Sequence, residues 1–158
     1  MSIEKVQEYL KKWGKDKDIL EFETSSATVE LAAQALGIEG ARIAKTICFK
    51  DGDGAMLIVT AGDAKTDNRK FKDEFGFKAK MMTPEETLEF TGHAVGGVCP
   101  FGLDNDVPVF LDESLKRFGT VYPACGSSNS AIKLTCEELD KYSHNKKWVD
   151  VGKGWELA

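Results

Sequence analysis

Apolar side chains recur every three or four residues over residues 2–13, which predicts an amphipathic helix that ends at Gly14. Residues 29–36 have a similar spacing, and we expect a helix there behind a cap region at Ser25-Ser26. Residues 66–75 form a charged segment with aromatic side chains four residues apart, which predicts a third helix.

Two strand-like runs, 42–49 and 55–60, flank the sequence Asp51-Gly52-Asp53-Gly54. A short Asp/Gly connection between two such runs predicts a β-hairpin. Further short strands are predicted at 19–23, 77–81 and 107–111, and a strand pair is predicted around Gly126.

Two more helix starts carry the capping-box pattern, in which a Thr cap is followed three residues later by Glu. They are Thr83-Pro84-Glu85-Glu86 and Thr135-Cys136-Glu137-Glu138. Helices and strands are therefore interleaved, and short loops join several of the strands. This pattern predicts an α+β fold with a mixed, largely antiparallel sheet, in one domain over residues 1–158.

The net charge of −5 limits the partners that this chain is expected to bind. Nonspecific nucleic-acid binding depends on many phosphate contacts, so DNA is not an expected partner, whereas a pocket for one terminal nucleotide stays open. No apolar run approaches the roughly 20 residues of a membrane helix, and residues 1–5 show no secretory signal. We therefore expect a cytoplasmic protein without a membrane partner.

The cysteines and histidines do not form a metal-binding pattern. The chain has four cysteines, none in a C-x-x-C pair, and two histidines, so we expect free thiols and no metal. Cys99 and His93 lie in the same loop, and a thiol hydrolase that uses them as nucleophile and base is one alternative. A packing role for Cys99 is the simpler interpretation.

Lys45 interrupts an apolar face of the predicted strand 42–49. Because side chains alternate across a strand, Ile43, Ile47 and Phe49 share the face of Lys45. Lysine is rarely buried without a partner, so this side chain either extends to the surface or places its ammonium in a polar pocket. In a pocket it could bind a phosphate or a carboxylate, or assist a leaving group.

Residues 91–102 contain four glycines and a proline, which excludes a regular helix or strand. Such a loop can direct backbone N–H groups at an ester carbonyl, or it can be a structural turn. It matches neither a P-loop nor a dinucleotide-binding fingerprint. A second small polar turn, 124–130, could supply hydrogen bonds at the mouth of a pocket or simply join two strands.

Three segments together resemble the YbaK/EbsC family of editing proteins, which is related to the insertion domain of bacterial prolyl-tRNA synthetases. They are the lysine-bearing strand 43–47, the glycine–proline loop 91–102, and residues 120–126 followed by 132–134. The similarity spans residues 20–140 with the segments in the same order.

The resemblance implies a single α+β domain that hydrolyses the ester between a wrong amino acid and tRNA, typically tRNA for proline, without a metal or organic cofactor. It implies that Lys45 is the essential lysine, which engages the terminal adenosine phosphate or the polar end of the substrate, and that water or a substrate group attacks. The expected substrate-binding residues are Thr28, Thr46, His93, Gly96, Gly97, Pro100, Gly102, Gly126 and Ser127. The expected partners are the acceptor end of aminoacyl-tRNA and, transiently, prolyl-tRNA synthetase. A non-catalytic aminoacyl-tRNA-binding or regulatory module on the same fold is the alternative.

Three positions depart from the pattern of this family. Relatives that remove cysteine carry an aspartate where this chain has Ala131, and relatives that remove alanine often have Asn where this chain has Thr46. Thr28 stands where some relatives carry an aromatic side chain. The resemblance therefore implies a small wrong amino acid such as cysteine or alanine and leaves the choice between them open.

Overall fold

A hairpin of two long strands forms the centre of the protein and carries Lys45. The structure is a computed structural model that describes residues 2–23 and 28–155. The strands in these ranges are β1 (Leu20–Glu21), β2 (Ile43–Asp51), β3 (Gly54–Ala61), β4 (Lys65–Thr66), β5 (Val109–Asp112), β6 (Thr120–Pro123), β7 (Ser130–Ala131), β8 (Leu134–Thr135), β9 (Trp148–Val149) and β10 (Gly152–Lys153). The α-helices are α1 (Ser2–Leu10), α2 (Val29–Leu36), α3 (Asn68–Phe75), α4 (Pro84–Thr91) and α5 (Cys136–Ser143).

The predicted hairpin is β2–β3, which pairs antiparallel from Ala44 opposite Ala61 to Asp51 opposite Gly54. Gly52 takes a φ of +61° in the turn, a left-handed conformation that glycine adopts without strain. The larger sheet has the order β8-β6-β2-β3-β5-β9. Within it, β6 lies parallel to β2, β5 lies parallel to β3, and β9 lies parallel to β5. β8 lies antiparallel to β6, and the small ladders β1–β7 and β4–β10 are antiparallel too. The α+β fold with a mixed sheet is confirmed.

The helix α2 begins at a threonine cap rather than at a serine. Thr28 accepts a hydrogen bond from the backbone N of Leu31 at 3.2 Å, which satisfies one of the free N–H groups of the first turn. The predicted cap region Ser25-Ser26 lies outside the described residues. Gly37 ends the helix in a left-handed conformation with φ +68°.

Both predicted capping boxes form. The side chains of Thr83 and Glu86 hydrogen-bond reciprocally to each other's backbone N at the start of α4, and Thr135 and Glu138 do the same for α5. The first helix continues beyond α1 as a short 3₁₀ turn and ends at Gly14, as the apolar spacing predicted.

The strand predicted at 77–81 does not form. Met81 makes only an isolated antiparallel bridge with Phe49. Phe77 and Ala79 pack against the aromatic cluster around Phe49. Alternate side chains therefore face the core, which produces a strand-like sequence pattern, although the backbone has no continuous neighbouring strand.

The strand pair predicted around Gly126 forms between β6 and β8, which lie antiparallel with Val121 opposite Leu134, whereas the short strand β7 between them does not join this pair. Both edges of β6 are occupied, by β2 on one side and β8 on the other, and β7 pairs with β1 instead. The intervening loop is still closed by hydrogen bonds, from Ile132 N to Pro123 O at 3.0 Å and from Cys125 N to the Ser130 hydroxyl at 3.2 Å.

The helix α2 covers the end of the sheet at which Lys45 lies. Ala32 and Ala33 of this helix pack with Ile43 of β2 and Tyr122 of β6. Within residues 2–23 and 28–155, no helix has the length and apolar character needed to cross a membrane.

Candidate functional site

A cavity of about 250 Å³ opens between α2, β2, the glycine loop and the segment that joins β6 to β7. Four of the residues expected at the site line it, namely Thr28, Lys45, Thr46 and Gly96. Small or apolar side chains supply most of the remaining wall: Val29, Ala32, Ile43, Ala44, Ile47, Val95, Val98, Tyr122, Ala124 and Ala131, with Ser130 beside them. Of the described residues that line this cavity, Lys45 alone carries a charge.

Lys45 lies between two apolar clusters on one face of β2. Ile43 packs under α2, and Ile47 and Phe49 pack in the aromatic cluster, whereas Ala44 and Cys48 face the main core. The predicted assignment of faces is therefore confirmed. The strand places Lys45 at the wall of the cavity, and this residue is partly buried.

The electrostatic surroundings of Lys45 are mixed. Burial lowers the pKa of the Lys45 ammonium, the carboxylates of Asp63 and Glu30 oppose this shift, and the charge of Lys65 adds to it. Among the residues that the structure describes, none forms an ion pair with Lys45. The ammonium is therefore a free donor and charge for a ligand in the cavity.

Two threonine hydroxyls near Lys45 are buried without a hydrogen-bond partner in the described part of the chain. Thr46 is one of the residues that line the cavity, and Thr60 lies directly opposite Lys45 in the hairpin. Leaving a buried hydroxyl unpaired is costly. The hairpin therefore carries two unsatisfied hydrogen-bonding groups beside Lys45.

The glycine loop is pressed against the turn that follows β6. Gly96 lines the cavity with φ +100°, and Gly97 lies behind it. A Cβ on Gly97 would lie 2.6 Å from the backbone N of Ser127, so no side chain fits there without a shift of the backbone. Gly126 N also donates to Gly97 O at 3.0 Å. Gly126 and Ser127 therefore support the loop, and they do not line the cavity.

Pro100 and Gly102 lie in the same loop but border a different cavity. That cavity has a volume of about 480 Å³ and is lined by Tyr9 and His144 among others. Sequence proximity grouped these two residues with Gly96, whereas the folded loop presents its two halves to separate cavities.

His93 is fully buried behind the loop and does not line the Lys45 cavity. Its Nε2 lies 2.6 Å from the carbonyl oxygen of Phe101 and 3.7 Å from the Sγ of Cys99. Because Nε2–H donates to the carbonyl, this nitrogen has no lone pair to accept a thiol proton. Through this hydrogen bond, the imidazole of His93 links the beginning of the glycine loop to Phe101 near its end.

Cys99 is unsuited to nucleophilic attack. Burial raises the pKa of its thiol to about 12, and burial lowers the pKa of the neighbouring His93. The thiolate is the nucleophilic form of cysteine, so a fully buried, protonated thiol opposes the thiol-hydrolase alternative and favours packing.

Asp63 was not expected from the sequence. It lies in the turn after β3, where Arg117 binds its carboxylate through two hydrogen bonds of 3.0 and 2.5 Å. Its influence on Lys45 results from the register of the hairpin, which no local pattern reveals. Val95 and Tyr122 were also not singled out, although both belong to segments that the sequence marked.

Within residues 2–23 and 28–155, no group of three or more His, Cys, Asp or Glu side chains is placed to hold a metal ion.

The chain matches the model of the aminoacyl-tRNA editing domain family over residues 23–142. It therefore belongs to this family, and the resemblance to the YbaK/EbsC proteins is confirmed. It is 57% identical to the uncharacterized protein YwhH of Bacillus subtilis (strain 168), over 99% of this chain and 100% of that protein. It is 29% identical to the Enterococcus faecalis protein named "Putative Cys-tRNA(Pro)/Cys-tRNA(Cys) deacylase EbsC", over 71% of this chain and 70% of that protein.

A similar fold occurs in a crystal structure described as that of "a putative trans-editing enzyme for prolyl tRNA synthetase". The two chains superpose with a TM-score of 0.87 and 32% identity, over 97% of this chain and 98% of the other. Proline–tRNA ligases match as well, and the chain spans 16% of the length of the ligase from Thermosipho melanesiensis.

Proposed function

We propose that this protein hydrolyses the ester bond of wrongly aminoacylated tRNA, as a free-standing deacylase. The observation that carries the proposal is the position of Lys45, a cation without an ion-pair partner in the described residues, at the wall of a small apolar cavity beside a glycine loop. Membership of the aminoacyl-tRNA editing domain family supports it.

In the proposed reaction, water attacks the ester carbonyl carbon. The new carbon–oxygen bond forms first and gives a tetrahedral intermediate with an oxyanion; the bond to the ribose oxygen then breaks, the proton lost by the attacking water passes to that oxygen, and free amino acid and tRNA leave. Lys45 binds the phosphate of the terminal adenosine or the polar end of the substrate, and backbone N–H groups near Gly96 stabilise the oxyanion. No protein nucleophile is needed, which agrees with the buried thiol of Cys99.

The dimensions of the cavity favour a small amino acid. About 250 Å³ is below the range of roughly 300–1,000 Å³ that is usual for pockets of drug-sized ligands. Ala32, Ile43 and Ala131 make the wall apolar, and a pocket of this kind discriminates by exclusion, since one methylene contributes only about 1–3 kcal/mol. We propose alanine or cysteine on tRNA for proline as the substrate.

A partner is also part of the proposal. One similar structure is described as that of "a putative trans-editing enzyme for prolyl tRNA synthetase". We propose that this protein binds such a synthetase transiently and that the synthetase supplies the choice of tRNA.

The test is a deacylation panel of tRNAs charged with alanine, cysteine, serine or proline, with the wild type, Lys45→Ala and Lys45→Met. We expect the wild type to release one small wrong amino acid and to leave prolyl-tRNA intact. Both variants should lose turnover while keeping the wild-type circular dichroism, because Lys45 has no partner among the described residues that its removal would leave unpaired.

Lys50→Gln is the matched control, since it removes one positive charge about 17 Å further along the same strand at ~3.3 Å per residue. Full activity in a folded Lys45→Ala protein would contradict the proposal. Tight binding of aminoacyl-tRNA by a wild type that turns over none of the panel would favour the non-catalytic binding module instead.

A further inference from the structure

The C-terminal segment is fixed beside the turn that holds Asp63. The buried carboxylate of Asp112 accepts a hydrogen bond from Val151 N at 2.8 Å. Val151 O in turn accepts from Asp67 N at 2.8 Å, and Lys70 Nζ donates to Gly152 O at 2.8 Å. The strand β10 is therefore held in one register against β4.

This register places two lysines directly opposite each other. Lys153 of β10 is the antiparallel partner of Lys65 of β4, and both side chains are exposed. Within the described residues neither forms an ion pair. Like charges that face each other across a ladder destabilise it, whereas the charge of Lys153 also helps to lower the pKa of the Asp67 carboxyl.

The pair continues the positive charge of the cavity. Thr60 of β3 is the antiparallel partner of Lys45, the charged residue of the cavity wall, and Lys65 begins β4 directly after the turn that follows β3. The charge of Lys65 also helps to lower the pKa of Lys45. Asp63, the acidic group in that turn, is engaged by Arg117 through both of its carboxylate oxygens. The guanidinium carbon of Arg117 also lies over the ring of Trp155, 5.2 Å from its centroid, at the end of the C-terminal segment.

Three lysines that form no ion pair within the described residues, Lys45, Lys65 and Lys153, thus follow one another from the cavity to the β4–β10 ladder, although the net charge of the chain is −5. Opposite side chains in a ladder lie about 5 Å apart at Cβ, and lysine is a flexible point charge that binds phosphate. The terminal nucleotide of tRNA is followed by a phosphodiester backbone, which must leave the cavity over one of its rims.

We propose that Lys65 and Lys153 bind backbone phosphates of the tRNA acceptor stem as it leaves the Lys45 cavity. This inference rests on the proposed function, and it assigns the C-terminal ladder β4–β10 to tRNA binding. Three lysine–phosphate contacts, including that of Lys45, give a slope of log affinity against log salt of roughly −2 to −3.

The experiment measures binding of an unacylated transcript of proline tRNA across a salt series, for the wild type, Lys65→Gln, Lys153→Gln and the double variant. A CCA trinucleotide, which has no stem, is titrated in parallel. We expect the slope for the transcript to become shallower by about 0.7 to 0.9 per lysine removed. Binding of the trinucleotide and the salt slope of Lys50→Gln should stay at the wild-type values.

Thermal melting separates a binding role from a structural one. Because the substitutions remove a repulsion, the double variant should melt at or above the temperature of the wild type. A wild-type slope in the double variant, no binding of the transcript by the wild type, or an equal loss for transcript and trinucleotide would each overturn the proposal.

Failure of the proposed function has a different signature. If the wild type hydrolyses none of the aminoacyl-tRNAs while the double variant still shows the shallower slope, the phosphate contacts stand and the hydrolysis does not. If the wild type hydrolyses its substrate and the slope is unchanged in the double variant, hydrolysis stands and the lysine pair is excluded.

Discussion

At the scale of the residue, burial separates the chemically active side chains from the inert ones. Cys99 is a thiol in a glycine loop, yet burial raises its pKa to about 12 and keeps it protonated at neutral pH. We therefore predict that Cys99→Ala retains deacylation within a few-fold of the wild type. It should lose about 1 kcal/mol of unfolding free energy, as is typical of a small core truncation, and kinetics with chemical denaturation check both values.

The control for this variant is an alkylating reagent on the wild type, which should leave activity unchanged because the thiol is inaccessible. An acyl-enzyme trapped on Cys99, or a loss of activity on the order of 10³-fold or more, would restore the thiol mechanism.

At the scale of the element, the glycine loop depends on one close contact between backbones. A Cβ at Gly97 would lie 2.6 Å from Ser127 N and 2.7 Å from the carbonyl carbon of Gly126, and backbone atoms cannot move aside as the end of a flexible side chain can. We predict that Gly97→Ala displaces the loop from the cavity, lowers kcat/KM for deacylation at least tenfold, and costs about 1–3 kcal/mol of stability. Steady-state kinetics and thermal melting measure these effects.

Gly119→Ala provides the matched control, since a Cβ at Gly119 has open space within 4 Å. We expect this control to behave as the wild type in both measurements. Unchanged kinetics and melting in Gly97→Ala would mean that the loop is not held by this contact.

At the scale of the whole molecule, the buried His93 couples stability to pH. Burial lowers the pKa of His93 in the folded state, whereas in the unfolded chain this pKa is about 6.5. Below a pH of about 6.5, His93 is therefore protonated in the unfolded chain while it stays neutral in the folded protein. The unfolded state then holds more protons, and stability falls as the pH falls. We predict that His93→Gln, whose amide can still donate to the Phe101 carbonyl, removes the part of this loss that begins near pH 6.5.

Denaturant unfolding at a series of pH values measures the difference. His144→Gln, at an exposed histidine, is the control and should keep the wild-type profile. The loss at lower pH should persist in both variants, because the pKa values of Asp67, Glu86 and Glu138 are lowered in the fold, and the stability that they contribute above the unfolded carboxyl pKa is lost on protonation. An identical profile for His93→Gln and the wild type would exclude His93 as the group responsible.

The sequence by itself determined the features that depend on neighbouring residues. The capping boxes, the hairpin over its Asp/Gly turn and the face of β2 that bears Lys45 each follow from contacts within a few residues, where residue type and spacing are sufficient. The family resemblance depended on such segments as well.

Only the tertiary structure decided how distant segments meet. Gly97 meets Ser127, Asp63 comes near Lys45, and Lys153 faces Lys65 because strand register and packing bring them together across many residues of chain. The same reason explains the errors, since 77–81 alternates like a strand without a partner, and the loop that holds Gly96 divides between two cavities. A one-dimensional pattern records which side chains are apolar, whereas register and packing choose the neighbours of each.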